Sequence, residues 1–89
     1  MTLDRTLELL NKAVAESVIT MGNEAAPVCT TGDDVLKDLG LDSLDWSIVL
    51  MHIEDEVLLS EEVIGELGEI IGKGGTVQDM TFFFKLHGL

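Results

Sequence analysis

Apolar residues recur at helical spacing through four segments of this chain, separated by glycine-rich or loop-forming breaks. In residues 3–21 they fall at Leu3, Leu7, Leu10, Val14, Val18 and Met21, with Glu8, Lys12 and Glu16 on the polar side. This spacing predicts an amphipathic helix. Gly22-Asn23 should end it, because both residues tolerate a left-handed backbone. A long connection follows over about residues 23–42, containing Pro27, Thr30, Thr31, Gly32 and Gly40. Within it, residues 33–39 could form a short helical turn that tacks the loop to the core.

A second helix is expected from Asp42 or Ser43, either of which can cap it, to about Leu59. Trp46, Val49, Leu50, Ile53 and Val57 make its core stripe. Leu44, Ile48 and Met51, spaced i, i+4, i+7, make a second apolar face that a small domain has no room to bury, which marks it as a partner surface. Ser60 caps a third helix with Glu61 and Glu62 in its first turn, and Val63, Ile64, Leu67, Ile70 and Ile71 give it an apolar side. Gly65 and Gly68 weaken that helix. After the break at Gly72-Lys73-Gly74-Gly75, Thr76 caps a last helix with Asp79 at the capping-box position. Its inward residues are expected to be Val77, Met80, Phe83 or Phe84, and Leu86, with Gly88 at its end. No segment reads as a strand. The expectation is one all-α domain over residues 1–89, with four helices and a long first connection.

Seventeen acidic residues against five basic ones give a net charge of −12. Nucleic-acid binding and anionic membrane surfaces are disfavoured, since both need clustered Lys and Arg. Proteins with basic patches fit better, through fast and salt-sensitive encounter. Cys29 is the only cysteine and reads as a small apolar loop residue. No apolar run approaches transmembrane length, and the first residues lack a signal-peptide pattern. A cytoplasmic monomer without membrane insertion is the expectation.

The stretch Asp38-Leu39-Gly40-Leu41-Asp42-Ser43-Leu44-Asp45 sets a lone hydroxyl at a helix mouth, where backbone N–H groups favour an anion. By itself Asp-Ser before an apolar helix is a common cap. The octet, its lead-in Asp33-Asp34-Val35-Leu36-Lys37, the helix closing on Glu54-Asp55-Glu56 and the start Thr76-Val77-Gln78-Asp79 together resemble the acyl carrier protein family. The resemblance covers most of the chain from Asp33 onward. It implies a four-helix bundle of acyl-carrier type, with Ser43 as the attachment point of a 4'-phosphopantetheine arm. Coenzyme A would be the donor and a phosphopantetheinyl transferase the catalyst. The chain would hold acyl or aminoacyl groups as thioesters for enzymes of fatty-acid, polyketide or related biosynthesis, without being an enzyme itself. Asp42, Leu44 and Asp45 would flank the site, and Met51, Glu54 and Asp55 match positions where the family's second helix meets its partners.

Three features depart from the family's pattern. Trp46 stands where a small residue is usual near the mouth of the acyl pocket. It falls on the core stripe and reads as a core indole, but as a pocket-lining residue it would favour short or polar cargo. Ile48 stands where fatty-acid carriers tend to have a recognition glutamate, which suggests a more apolar docking site. Residues 58–75 are longer than the family usually needs, as a mobile flap or a tolerated insertion.

Other chemistries fit these residues less well. Ser43 and His52 lie nine residues apart on one helix, about 13 Å along its axis at roughly 1.5 Å per residue, which does not suit a triad. A calcium loop starting at Asp38 would have Ser43 at its sixth position and Val49 at its twelfth, where Gly and Glu are needed. The remaining alternative is an unmodified helical interaction module that uses the Leu44, Ile48 and Met51 stripe.

Overall fold

The computed structural model describes residues 1–20 and 27–89. Among them the chain is all helical: α1 spans Leu3–Thr20, α2 Ser43–Val57, α3 Glu61–Gly72 and α4 Val77–Leu86, with a short 3₁₀ helix at Leu36–Leu39 before α2. The expected core position Met21 and the break at Gly22-Asn23 lie outside the described residues.

The buried arc of α1 is Thr6, Leu9, Leu10, Ala13, Val14, Ser17 and Val18. That pattern still follows the helical period, but it is rotated from the expected stripe. Leu3 and Leu7 are only half-buried at its edge, while small residues occupy the face that neighbouring helices approach. Thr81 on α4 donates to Thr6 Oγ1 at 2.8 Å, and Thr6 in turn donates to the Thr2 carbonyl at 3.0 Å. Two buried hydroxyls thus find partners without water, as buried polar groups must. α1 packs on α2 and α4, α2 on α3, and α3 on α4 and the 3₁₀ helix.

The connection before α2 is held at both flanks. Asn11 on α1 donates to the Cys29 carbonyl and accepts from the Cys29 N–H, each at 2.9 Å. Asp34 Oδ2 accepts from the N–H groups of Thr30 and Thr31 at 2.8 and 3.1 Å. Beyond that turn, the carbonyls of Asp34 and Gly32 accept from the N–H groups of Val77 and Gln78. These N–H groups in the first turn of α4 have no partner within the helix, so the loop completes that terminus while being anchored by it. Thr76 and Asp79 form the expected capping box. Gly40, at φ 81°, then turns the chain into α2.

Two expectations are corrected. α2 ends at Val57, with Leu58 in a left-handed conformation, instead of running to Leu59. Leu86 is 69% exposed, because the inward face of α4 is filled by Val77, Met80, Phe83 and Phe84 together. Most of residues 58–75 form α3, capped by Ser60 as expected and closed by the turn in which Gly75 donates to the Ile70 carbonyl at 2.9 Å.

Candidate functional site

Asp42, not Ser43, caps α2. Its carboxylate accepts from the Asp45 N–H at 2.8 Å, and the Asp45 carboxylate accepts from the Asp42 N–H at 3.2 Å. Both acidic side chains beside Ser43 therefore have a local structural task. Ser17, buried on α1, donates to the Asp45 carbonyl at 3.3 Å and ties this first turn to the core.

Ser43 is the first residue of α2 and is exposed. Among the described residues no hydrogen bond engages its hydroxyl, nor the backbone N–H groups of Ser43 and Leu44. The capping box uses the next N–H along, at Asp45, so two donors at the positive end of the helix remain open around a free hydroxyl. Such a site can take a phosphodiester on the serine oxygen with those N–H groups facing its oxygens.

Behind Ser43 the space between α2 and α3 opens into a cavity of ≈ 270 Å³, lined by Ser43, Trp46, Ser47, Leu50, Gly68, Ile71 and Gly72. A second depression of ≈ 330 Å³ continues along the same two helices past Ser47 and Leu50 to Met51, Glu54, Glu61, Ile64 and Gly65. The three glycines of α3 all line this groove, so the helix presents bare backbone to it. An added Cβ would meet nothing within 4 Å at Gly65 or Gly72 and would touch only Leu50 at Gly68.

Trp46 is 9% exposed within the hydrophobic core and also walls the cavity. Among the described residues no hydrogen-bond partner meets its buried Nε1–H. Sequence reasoning missed the third glycine's part in the groove and the orphaned indole; the spacing of Gly65, Gly68 and Gly72 along one helical face was the available signal for the first.

The outer face of α2 carries the expected stripe. Leu44 and Met51 are 57% and 62% exposed, and Ile48 is half-buried between them. Asp55 is exposed and Glu54 half-buried. Among the described residues Asp42, Asp45, Glu54 and Asp55 make no ion pair; the pairs fall instead on Arg5–Glu8, Lys12–Glu56, His52–Glu16 and His87–Glu66. The face around Ser43 is therefore apolar with uncompensated negative charge at its edge.

His52 Nδ1 lies 3.2 Å from Glu16 Oε2 on α1, so the structure does not bring it to the serine. Cys29 is buried, and that burial, with help from the Asp34 charge, pushes its thiol above the ordinary range. No group of three or more His, Cys, Asp or Glu among the described residues is placed to hold a metal ion. No helix among them is long and apolar enough to cross a membrane.

Comparison with protein-family models, curated proteins and solved structures finds no match to this chain.

Proposed function

We propose that this chain is a cytoplasmic, monomeric carrier protein of the acyl-carrier type. It holds acyl or aminoacyl groups as thioesters on a 4'-phosphopantetheine arm attached to Ser43. The four helices then form the bundle of that family, with the long connection between α1 and α2 delivering the octet to the head of α2. The observation that carries the reading is the exposed Ser43 hydroxyl, with two uncommitted N–H groups beside it and an apolar cavity behind it.

The residues present suit such an arm. Ser43 offers the attachment oxygen, the Ser43 and Leu44 N–H groups suit the phosphodiester, and the cavity suits what the arm brings. When attached, the arm supplies the thiol that carries the cargo. The chain's own residues do the rest: the Asp42–Asp45 box fixes the first turn beside Ser43, and Trp46 and Ile71 give the cavity apolar walls. Leu44, Ile48 and Met51 offer partners an apolar contact, and Asp42, Asp45, Glu54 and Asp55 attract their cations. The partners are a phosphopantetheinyl transferase and the loading and transferring enzymes, and catalysis is theirs.

The test is intact mass after incubation with coenzyme A and a broad-specificity phosphopantetheinyl transferase. The parent should gain one phosphopantetheine and Ser43→Ala none. No gain in the parent, with a known carrier modified alongside, overturns the reading. The exposure of Leu44 and Met51 favours a second one, an unmodified interaction module, whose partner binding would survive Ser43→Ala.

A further inference from the structure

Among the described residues Leu58 is the one non-glycine with a positive φ, at 56°. It is the C-cap of α2, and its N–H donates to the Glu54 carbonyl at 2.8 Å. It is also 87% exposed, more than any other large apolar residue described. Two costs therefore meet at one position. A Cβ crowds the backbone in the left-handed region, where glycine or asparagine is the usual solution. The fold recovers almost nothing in return, because the leucine side chain is left in water. A chain selected only for a tight end to α2 would carry glycine or asparagine here.

The surroundings indicate what the leucine is kept for. Residues 58–60 link α2 to α3, and the ≈ 330 Å³ depression between those helices is lined by Glu54 on one side of the link and Glu61 on the other. Leu50, Met51, Ile64 and Gly65 give it an apolar floor. Leu44 and Met51 precede Leu58 on α2, so exposed apolar residues reach from the head of the helix to its end, about 21 Å at roughly 1.5 Å per residue. Among the described residues Glu54, Asp55, Glu61 and Glu62 make no ion pair, and no Lys, Arg or His lines the depression. An acidic partner would be repelled by this face. A neutral one would cover its carboxylates without pairing them, which costs desolvation.

We propose that Leu58 is the far anchor of a docking groove for a basic amphipathic helix of a partner protein. That helix lies along the depression with its apolar side chains on Met51, Ile64 and Leu58 and its Lys or Arg residues against Glu54 and Glu61. Leu58 then regains on binding what it forgoes in the free chain. The groove extends the partner contacts proposed above to the link and the head of α3. It needs no arm on Ser43, so its failure leaves the loading experiment untouched.

The probe is a Leu/Lys peptide of helical period, roughly 14 residues long to span the face, with a Leu/Glu peptide of the same pattern beside it. Calorimetry gives the affinity and amide shifts of ¹⁵N-labelled protein give the place. The Leu/Lys peptide should shift the amides of Met51, Leu58 and Glu61, and the Leu/Glu peptide should not bind. Leu58→Asn should raise Tm by about 2–8 °C, since asparagine tolerates the left-handed backbone. The same change should weaken Leu/Lys binding about five- to tenfold, the worth of part of a leucine's burial, while Leu58→Met keeps the parent's affinity. General attraction to an acidic chain is indifferent to these uncharged substitutions, so the contrast isolates docking. Equal affinity of the parent and Leu58→Asn overturns the inference, as do shifts confined to other faces. A fall in Tm for Leu58→Asn would mean that the side chain serves the fold itself, and overturns it too. Concentration-dependent shifts at the same amides without peptide would assign the face to a second copy of the chain, with the same consequence.

Discussion

Replacing glycine by alanine at two nearby positions should move stability in opposite directions. Gly65 lies inside α3, exposed, and an added Cβ there meets nothing within 4 Å. Removing the unfolded chain's extra freedom should stabilise the protein by about 0.5–1 kcal/mol. Gly75 is buried in the turn after α3. Its N–H donates to the Ile70 carbonyl and its own carbonyl accepts from Leu36 N–H at 3.0 Å. A Cβ on Gly75 would stand 2.6 Å from Ile70 Cγ2 and 2.7 Å from the Ile70 carbonyl oxygen. The side-chain methyl could turn away, but the oxygen is backbone at the end of a helix. Relief takes a shift of about 0.7 Å, measured to an ordinary 3.4 Å contact, and that shift loosens both hydrogen bonds. Two bonds at about 1 kcal/mol each and about 1–3 kcal/mol of overpacking give a loss of about 3–5 kcal/mol. For a domain of this size, 1 kcal/mol corresponds to about 4–8 °C in Tm. Gly65→Ala should therefore melt about 2–8 °C above the parent and Gly75→Ala at least about 12 °C below it. Urea and thermal unfolding followed by circular dichroism measure both. Gly75→Ala within about 0.5 kcal/mol of the parent would refute the reasoning, as would Gly65→Ala falling below it.

Asp42→Ala removes one arm of the α2 capping box and should cost about 1 kcal/mol, with faster amide exchange in the first turn of α2 and Asp42→Asn nearly neutral. The Asp34 carboxyl is held below its usual range by the Thr30 and Thr31 N–H groups, and that of Glu56 by its hydrogen bond and charge attraction to Lys12. Each depressed carboxyl contributes stability that is complete above its unfolded pKa, about 4, and is lost as pH falls through its lower folded value; Asp34→Asn should flatten acid unfolding curves in that window. The Lys12 ammonium is raised by the same partner, so its share persists at neutral pH and disappears only as pH rises through its folded value. The buried Cys29 thiol should resist a thiol reagent at neutral pH in the native protein and react promptly in urea, and rapid native labelling would contradict its burial.

The helices were legible because large apolar side chains repeat with the helical period and because Ser60 and Thr76 mark their starts without ambiguity. The rotation of α1 was not. Its buried arc contains Thr6, Ala13 and Ser17, small residues whose burial depends on how closely α4 and α2 approach, and a count of large apolar side chains overlooks them. Leu86 misled for the complementary reason: it has the hydrophobicity of a core residue, but Phe83 and Phe84 both turn inward and leave it no room. At the candidate site, Ser43 and its acidic neighbours were visible as a pattern. Which acid caps the helix was not visible, since Asp42 and Ser43 are both competent and only the backbone geometry of Asp42 decides. The loop's anchoring was also hidden, because Asn11 reaches Cys29 across eighteen positions and local sequence carries no trace of that pairing.

The glycines of α3 connect stability to the proposed role. Each gives up about 0.5–1 kcal/mol of helix stability relative to alanine, and at Gly65 nothing in the packing prevents a methyl group from taking its place. A chain selected for a firm α3 alone would therefore carry alanine there. At Gly68 an added Cβ would touch Leu50 Cδ1 at 3.4 Å, so a larger side chain would close the groove beside Trp46. Gly68→Leu should leave the helices intact, because the cavity has space to receive the new side chain, and Ser43 should still accept its arm, because the mouth of α2 is untouched. Circular dichroism of the variant and its intact mass after incubation with coenzyme A and the transferase check the two expectations. Loss of the helices in Gly68→Leu would mean that the glycine serves the packing of α3 against α2, and the groove would need a different explanation.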